Sequence, residues 1–207
     1  MRITRRKLLI NIPVPFAAVV LWSFANAQAI STEHILGGTP SAPVRIEVFS
    51  DFQCSACRAF FLQTIKQVLR DYCAENKVCV IYHEFPLRMN QFSRLAARYS
   101  LASQRLGQSQ WLSVMDALYT NQSEWAVDGN IDVFVAKALS ADDMQKVRQL
   151  VAEASINDAV NSELTLASQK EITYTPTMFL YVGGKEQKVV GALEYAVLKE
   201  YIDRLIK

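Results

Sequence analysis

The stretch Val44-Arg45-Ile46-Glu47-Val48-Phe49-Ser50-Asp51-Phe52-Gln53-Cys54-Ser55-Ala56-Cys57 decides how this chain folds. Its first part is largely apolar, as a buried central strand requires. From Cys54 onward the apolar residues change period. Cys57, Phe60, Phe61, Thr64, Ile65, Val68, Leu69 and Tyr72 fall on one stripe at i, i+3, i+4, i+7 spacing, which predicts an amphipathic helix. Two cysteines three apart thus sit where a strand gives way to a helix. The unpaired amides and positive dipole end of that helix lie beside Cys54 and favour its thiolate. Cys57 opens the buried stripe, so it is the shielded partner. A second strand, Val78-Cys79-Val80-Ile81-Tyr82-His83-Glu84-Phe85, ends at Pro86 and completes a β-α-β unit with parallel strands and a right-handed crossover.

Residues 1–27 read as a signal peptide. Arg2, Arg5, Arg6 and Lys7 precede the apolar run Ile12 to Trp22, and Ala25-Asn26-Ala27 offers a cleavage site. Thr4-Arg5-Arg6-Lys7-Leu8-Leu9 partly matches a twin-arginine signal, although paired arginines also occur in ordinary Sec signals. Pro13 and Pro15 interrupt the run, which is shorter than the ~20 apolar residues of a membrane span. The expected product is a periplasmic or otherwise extracytoplasmic chain, residues 28–207. Those four basic residues precede the first acid, Glu33, so cleavage converts the net charge from +2 to −2. A near-neutral chain argues against nucleic acid as partner. At 51% hydrophobic and 20% charged, the composition suits one globular domain.

Residues 28–43 read as a lead-in with turn signals at Gly37-Gly38, Pro40 and Pro43. Residues 88–171 are rich in Ala, Leu, Gln and Ser and free of proline, and predict a helical insertion. Stripes fall at 91–106, 109–121, 131–138 and 142–168, the last broken. Asp128-Gly129-Asn130 marks a turn, and Ser140-Ala141-Asp142-Asp143 a helix start. Thr177 to Val182, Gly183-Gly184 and Gln187 to Val190 then predict a hairpin, followed by a closing helix with Val197, Leu198, Tyr201, Ile202 and Leu205 on its apolar face. Pro176, at the head of the hairpin, suits a cis X-Pro bond. Its loop would lie against the dithiol and offer backbone to an extended substrate.

Together, Ala42-Pro43-Val44, Phe49 to Cys57, Phe85-Pro86-Leu87 and Thr175-Pro176-Thr177 resemble the DsbA-like family of exported thiol–disulfide oxidoreductases, its BdbD-type branch above all. The resemblance implies a thioredoxin-like α/β fold with the helical insertion between the second strand and the cis-proline strand. It implies Cys54 as attacking sulfur, Cys57 as resolver, and Thr175 and Pro176 as the substrate-side loop. The implied function is a monomeric dithiol oxidase acting on unfolded or partly folded exported proteins. A DsbB-like or vitamin K epoxide reductase-like membrane partner would reoxidise it. No dissociable cofactor is implied. The alternatives are a reductase or isomerase with the same site, or a chaperone-like module using the thiols as soft metal ligands.

Most of the other residues that could carry chemistry have ordinary roles. Ser55 and Ala56 replace the proline or histidine often found between the cysteines in this family, which points to a weaker oxidant than DsbA, with Ser55 a minor hydroxyl donor. Where many thioredoxin-fold proteins bury an acid, this chain has Val48. Glu47 reads as a solvated strand end and Asp51 as a turn or cap residue. Cys73 and Cys79 are spaced for a structural disulfide closing a short loop, or are two buried thiols. No metal site is expected, because His34 and His83 belong to no metal-spaced pair. His83 reads as a core or edge histidine, Trp111 and Trp125 as packing residues, and Lys185 and Lys188 as a solvated hairpin.

Overall fold

The computed structural model describes residues 34–206. The expected signal peptide lies outside the described residues. Five strands form one sheet: β1 Ile35–Gly37, β2 Val44–Ser50, β3 Val78–Glu84, β4 Thr177–Val182 and β5 Lys185–Val190, in the order β1-β3-β2-β4-β5. The predicted parallel pair is β2 with β3, in register from Val44↔Val78 to Ser50↔Glu84. The predicted hairpin, β4 and β5, adds antiparallel to β2. Between β2 and β3 runs a helical stretch, α1 (residues 55–73), which contains two π segments, Phe61–Ile65 and Leu69–Cys73. The insertion comprises α2 Ser93–Gln104, α3 Gln108–Thr120, α4 Gln122–Asp128, α5 Ile131–Ala138, α6 Ala141–Ala152 and α7 Ala154–Gln169. Helix α8, Tyr195–Leu205, closes the domain.

Alternation along the strands sorts side chains to two faces. Val44, Ile46 and Val48 of β2, Val78, Val80 and Tyr82 of β3, and Met178 and Leu180 of β4 join the main core with Cys57, Phe60, Phe61, Ile65 and Val68 of α1, Leu198 and Ile202 of α8, and the apolar faces of the insertion. The opposite face holds a smaller cluster, Phe49, Phe179, Ala167 and Ile172. Burial on both faces is why β2 lacks a clean polar alternation. Thr64, the one polar residue on the α1 stripe, is buried with its hydroxyl donating to the Leu193 carbonyl at 2.8 Å.

Two local readings change. Residues 35–37, expected within a lead-in, pair antiparallel with β3 because Leu36 is an apolar anchor for the core. Gly38 turns the chain out of this strand at φ +75, where a Cβ would meet the Val78 carbonyl at 2.1 Å. Helix α4 was not foreseen. It is only two turns long, and its case rests on Trp125, which is fully buried with its indole N–H donating to the Leu118 carbonyl at 2.7 Å. Trp111 is likewise core, its N–H donating to Ser100 Oγ at 2.8 Å.

The expected break in 142–168 falls at Glu153, which is extended between α6 and α7. Ser140 caps α6 as its sequence implies, accepting from the Asp143 amide at 3.1 Å. Ser140→Ala should cost about 1 kcal/mol, read as a lower urea midpoint at unchanged slope. A midpoint equal to that of the parent would show that the cap contributes nothing.

Candidate functional site: the dithiol at the head of α1

Cys54 is the N-cap of α1, with extended backbone (φ −76, ψ 120), and its Sγ accepts from the Cys57 amide at 3.3 Å. The sulfur thus takes the position that a serine or aspartate oxygen holds at other helix starts. It is partly exposed, whereas Cys57 is fully buried against the core. All four cysteines carry free thiols. The Thr175–Pro176 bond is cis. The loop lies against the dithiol as the sequence implied, with the Cys54 thiol donating to the Thr175 carbonyl at 3.5 Å.

The surroundings push the two thiols apart. Cys54 is lowered from 9.0 to about 6, first by its hydrogen bond with the Cys57 thiol, and further by Thr175 and the amides of Cys57 and Ala56, against an opposing push from burial. Cys57 is raised, first by burial and then by Cys54, while the Ser50 hydroxyl and the Asp51 backbone act in the other direction. The lowering comes from Cys57, Thr175 and backbone amides rather than from the exposed Ser55, which the sequence had suggested as a donor.

The folded value of Cys54 lies below its ordinary value. Its thiolate therefore stabilises the reduced fold fully above about pH 9, and that contribution is lost as pH falls through about 6. Iodoacetamide alkylation of the reduced protein should follow a titration curve with its midpoint near pH 6. A midpoint near 9 would remove the electrostatic basis of the site.

A hydroxyl chain leads from Cys57 into the core. Ser50 Oγ lies 2.9 Å from Tyr119 Oη, which in turn meets Tyr82 Oη. Val48 is core, as expected from its side chain. A buried carboxyl on the same sheet face comes instead from Glu84, the register partner of Ser50, and burial holds it well above the usual carboxylate range.

Several residues around the site were not legible in the sequence. Asp51, read as a turn or cap residue, is 1% exposed and organises the loop that carries the dithiol. It accepts from the amides of Gln53 (2.7 Å) and Leu87 (2.8 Å), from Asn90 Nδ2 (2.8 Å) and from the Ser93 hydroxyl. Gln122 of α4 reaches from the insertion to donate to the carbonyls of Phe52 (2.5 Å) and Cys54 (3.1 Å). Arg58 Nε, on α1, donates to the Tyr119 carbonyl at 2.8 Å. The insertion therefore holds the rim of the dithiol loop through long-range contacts that no local motif announces.

Three expectations are corrected or refined away from the dithiol. Cys73 and Cys79 are both buried, and carry free thiols as Cys54 and Cys57 do. Cys73 belongs to the main core, whereas Cys79 is the register partner of Arg45, on the other face of the sheet. Burial pushes Cys73 up to about 12 and raises Cys79 as well, so neither is poised to react. Glu47 is no solvated strand end: it is buried beside Arg45 Nε and Lys170 Nζ, each at 3.2 Å. On the hairpin, Lys185 is exposed, but the Lys188 ammonium donates to the carbonyls of Lys170 (3.2 Å) and Glu171 (3.0 Å). Among the described residues no helix is long and apolar enough to cross a membrane.

Comparison with known proteins agrees with this architecture. A family model described as thioredoxin matches residues 30–204. A probable disulfide bond formation protein D of Bacillus cereus is 24% identical over 183 residues, 86% of this chain and 81% of that protein. The crystal structure of α-DsbA1 from Wolbachia pipientis superimposes with a TM-score of 0.68 at 21% identity, over 82% of this chain and 88% of that one. Oxidised BdbD from Bacillus subtilis does so with a TM-score of 0.68 at 19% identity, over 82% and 90%. The chain belongs to the thioredoxin family, with the DsbA-like form of its fold, in which a helical insertion separates the β-α-β unit from the cis-proline strand.

Proposed function

We propose that this protein-disulfide oxidoreductase works as an exported dithiol oxidase that introduces disulfides into other extracytoplasmic proteins through Cys54 and Cys57. The carrying observation is the division of labour between the sulfurs. Cys54 is accessible, caps a helix, touches the cis-proline loop and is lowered to about 6, while Cys57 lies buried beneath it and is raised. The curated relatives named for disulfide bond formation support the same reading.

In the oxidised state a substrate thiolate attacks Cys54 Sγ. The Cys54–Cys57 bond breaks as the mixed disulfide forms, and Cys57 leaves with the electron pair and takes up a proton. A second substrate thiolate then attacks the substrate sulfur of the mixed disulfide and expels Cys54 as thiolate. Two substrate thiols become one disulfide, and the enzyme disulfide becomes the dithiol seen here. The helix amides that stabilise the Cys54 thiolate make it a good leaving group and draw the exchange toward substrate oxidation. The cis-proline loop offers Thr175 beside the reacting sulfur, where an extended substrate would pair. A membrane oxidant of the DsbB or vitamin K epoxide reductase kind would return the dithiol to the disulfide. No dissociable cofactor enters the cycle.

The reductase direction is the second reading. It is favoured by the Cys54 value of about 6, which lies nearer to thioredoxin's ~7 than to DsbA's ~3.5. Equilibration with glutathione decides between them. The oxidase reading expects a potential between roughly −120 and −230 mV, short of DsbA itself. A value near thioredoxin's −270 mV would assign the reducing direction.

A further inference from the structure

The sheet face opposite α1 carries a second constellation that the dithiol chemistry does not use. We propose that His34, His83 and Glu163 form a site for a zinc-like divalent metal ion bound by two imidazoles and one carboxylate. The three residues come from separate parts of the chain: the segment leading into β1, strand β3, and helix α7 of the insertion. One ligand atom from each lies within 4.8 Å of the other two. Glu163 Oε1 is 3.3 Å from His34 Nε2, and its Oε2 is 2.9 Å from His83 Nδ1. In a tetrahedral site with bonds of about 2.1 Å, ligand atoms stand roughly 3.4 Å apart. The two imidazole–carboxylate spacings, each to a different oxygen of Glu163, are close to that, and the full three-atom set lies within 4.8 Å.

The chemistry of the donors selects the ion. Calcium and magnesium favour sets built from oxygen. Two neutral imidazoles with a carboxylate suit zinc and leave its fourth position to water.

Each ligand is also oriented from behind, as metal ligands are. His83 stacks on Phe49 with centroids 4.5 Å apart and 18° between planes. The Glu84 amide donates to Glu163 Oε2 at 3.1 Å. Gln104 Nε2 lies 3.5 Å from His34 Nδ1, the nitrogen turned away from Glu163. The side chains of His83 and Glu163 are 8% and 6% exposed, and that of His34 16%. His34 and Glu163 also line a cleft of about 790 Å³, with Asp158 and Ser162 on its wall, which gives an ion a way in. Bound there, the ion would tie the start of the described chain to the insertion.

The test uses the purified protein in its oxidised form, so that Cys54 and Cys57 cannot capture metal. Zinc sulfate is titrated in competition with a chromophoric chelator, and the melting temperature is followed in parallel. One zinc per chain should bind and raise the melting temperature. His34→Gln, at a partly exposed position, and Glu163→Gln should each weaken zinc binding at least about tenfold and abolish the rise. Calcium chloride at the same concentration should leave the melting temperature unchanged. Failure of the parent protein to bind zinc, an affinity in both variants equal to that of the parent, or an equal response to calcium would overturn the proposal. Circular dichroism confirms that each variant is folded. The reduction potential of the dithiol is a separate measurement, so failure here leaves the oxidase reading standing, and the reverse.

Discussion

Cys57→Ser should convert the protein from a catalyst into a trap. Without the buried thiol the Cys54–Cys57 disulfide cannot form, and a substrate captured when the Cys54 thiolate attacks its disulfide can no longer be expelled by Cys57, so mixed disulfides accumulate. They should appear on non-reducing gels as protein joined through Cys54 and vanish on reduction. Cys54→Ser should instead form no adducts and lower the oxidation rate of a reduced model substrate by about a thousandfold or more, since the nucleophile and leaving group is gone. The asymmetry is the informative part. It follows from the accessibility and low proton affinity of one sulfur and the burial of the other. If the two variants exchange roles, with adducts forming only through Cys57, the assignment of attacking and resolving sulfurs is wrong.

Asp51→Ala should be the most damaging substitution outside the dithiol. The carboxylate is buried and accepts from four donors, three of them on the segment 87–93 that leads into the insertion. Removing it strands those donors without water, and each buried unsatisfied donor costs about 1–3 kcal/mol. Because they share one acceptor the costs do not add fully, and a net loss of roughly 3–5 kcal/mol is expected. That is a large share of the ~5–15 kcal/mol typical of a domain. Urea unfolding of the oxidised and reduced forms measures it. Asp51→Asn, which keeps one acceptor oxygen and the shape, should lose less. A loss below about 1 kcal/mol for the alanine variant would mean that the loop is held by Gln122 and the main chain instead.

The residues between the cysteines and the state of Cys54 are consistent with each other. Ser55 and Ala56 bring no charge to the dithiol, and the lowering of Cys54 rests on hydrogen bonds from Cys57, Thr175 and backbone amides. Neutral dipoles stabilise a thiolate less than a nearby cation does, so a value of about 6 fits a site without a histidine between its cysteines.

What could be read from the chain itself was whatever local periodicity and turn chemistry encode. The strand before Cys54, the helical stripe from Cys57, the Ser140 cap, the Gly183-Gly184 hairpin and the proline at 176 all depend on neighbours within a few residues, and each stands where expected. The order of these motifs was enough to place the dithiol and the cis-proline loop together, because a β-α-β crossover has one hand and adjacent strands pair. Tertiary structure alone decided the rest. Whether Asp51 was a bland turn residue or the centre of the loop depended on donors 36–42 residues away. His34 and His83, 49 positions apart and without metal-like spacing, meet only because β1 pairs with β3 and α7 delivers Glu163 between them. Contacts of that range carry no signature in a short window of sequence, since the chain separating the partners sets neither their distance nor their direction until the sheet has formed.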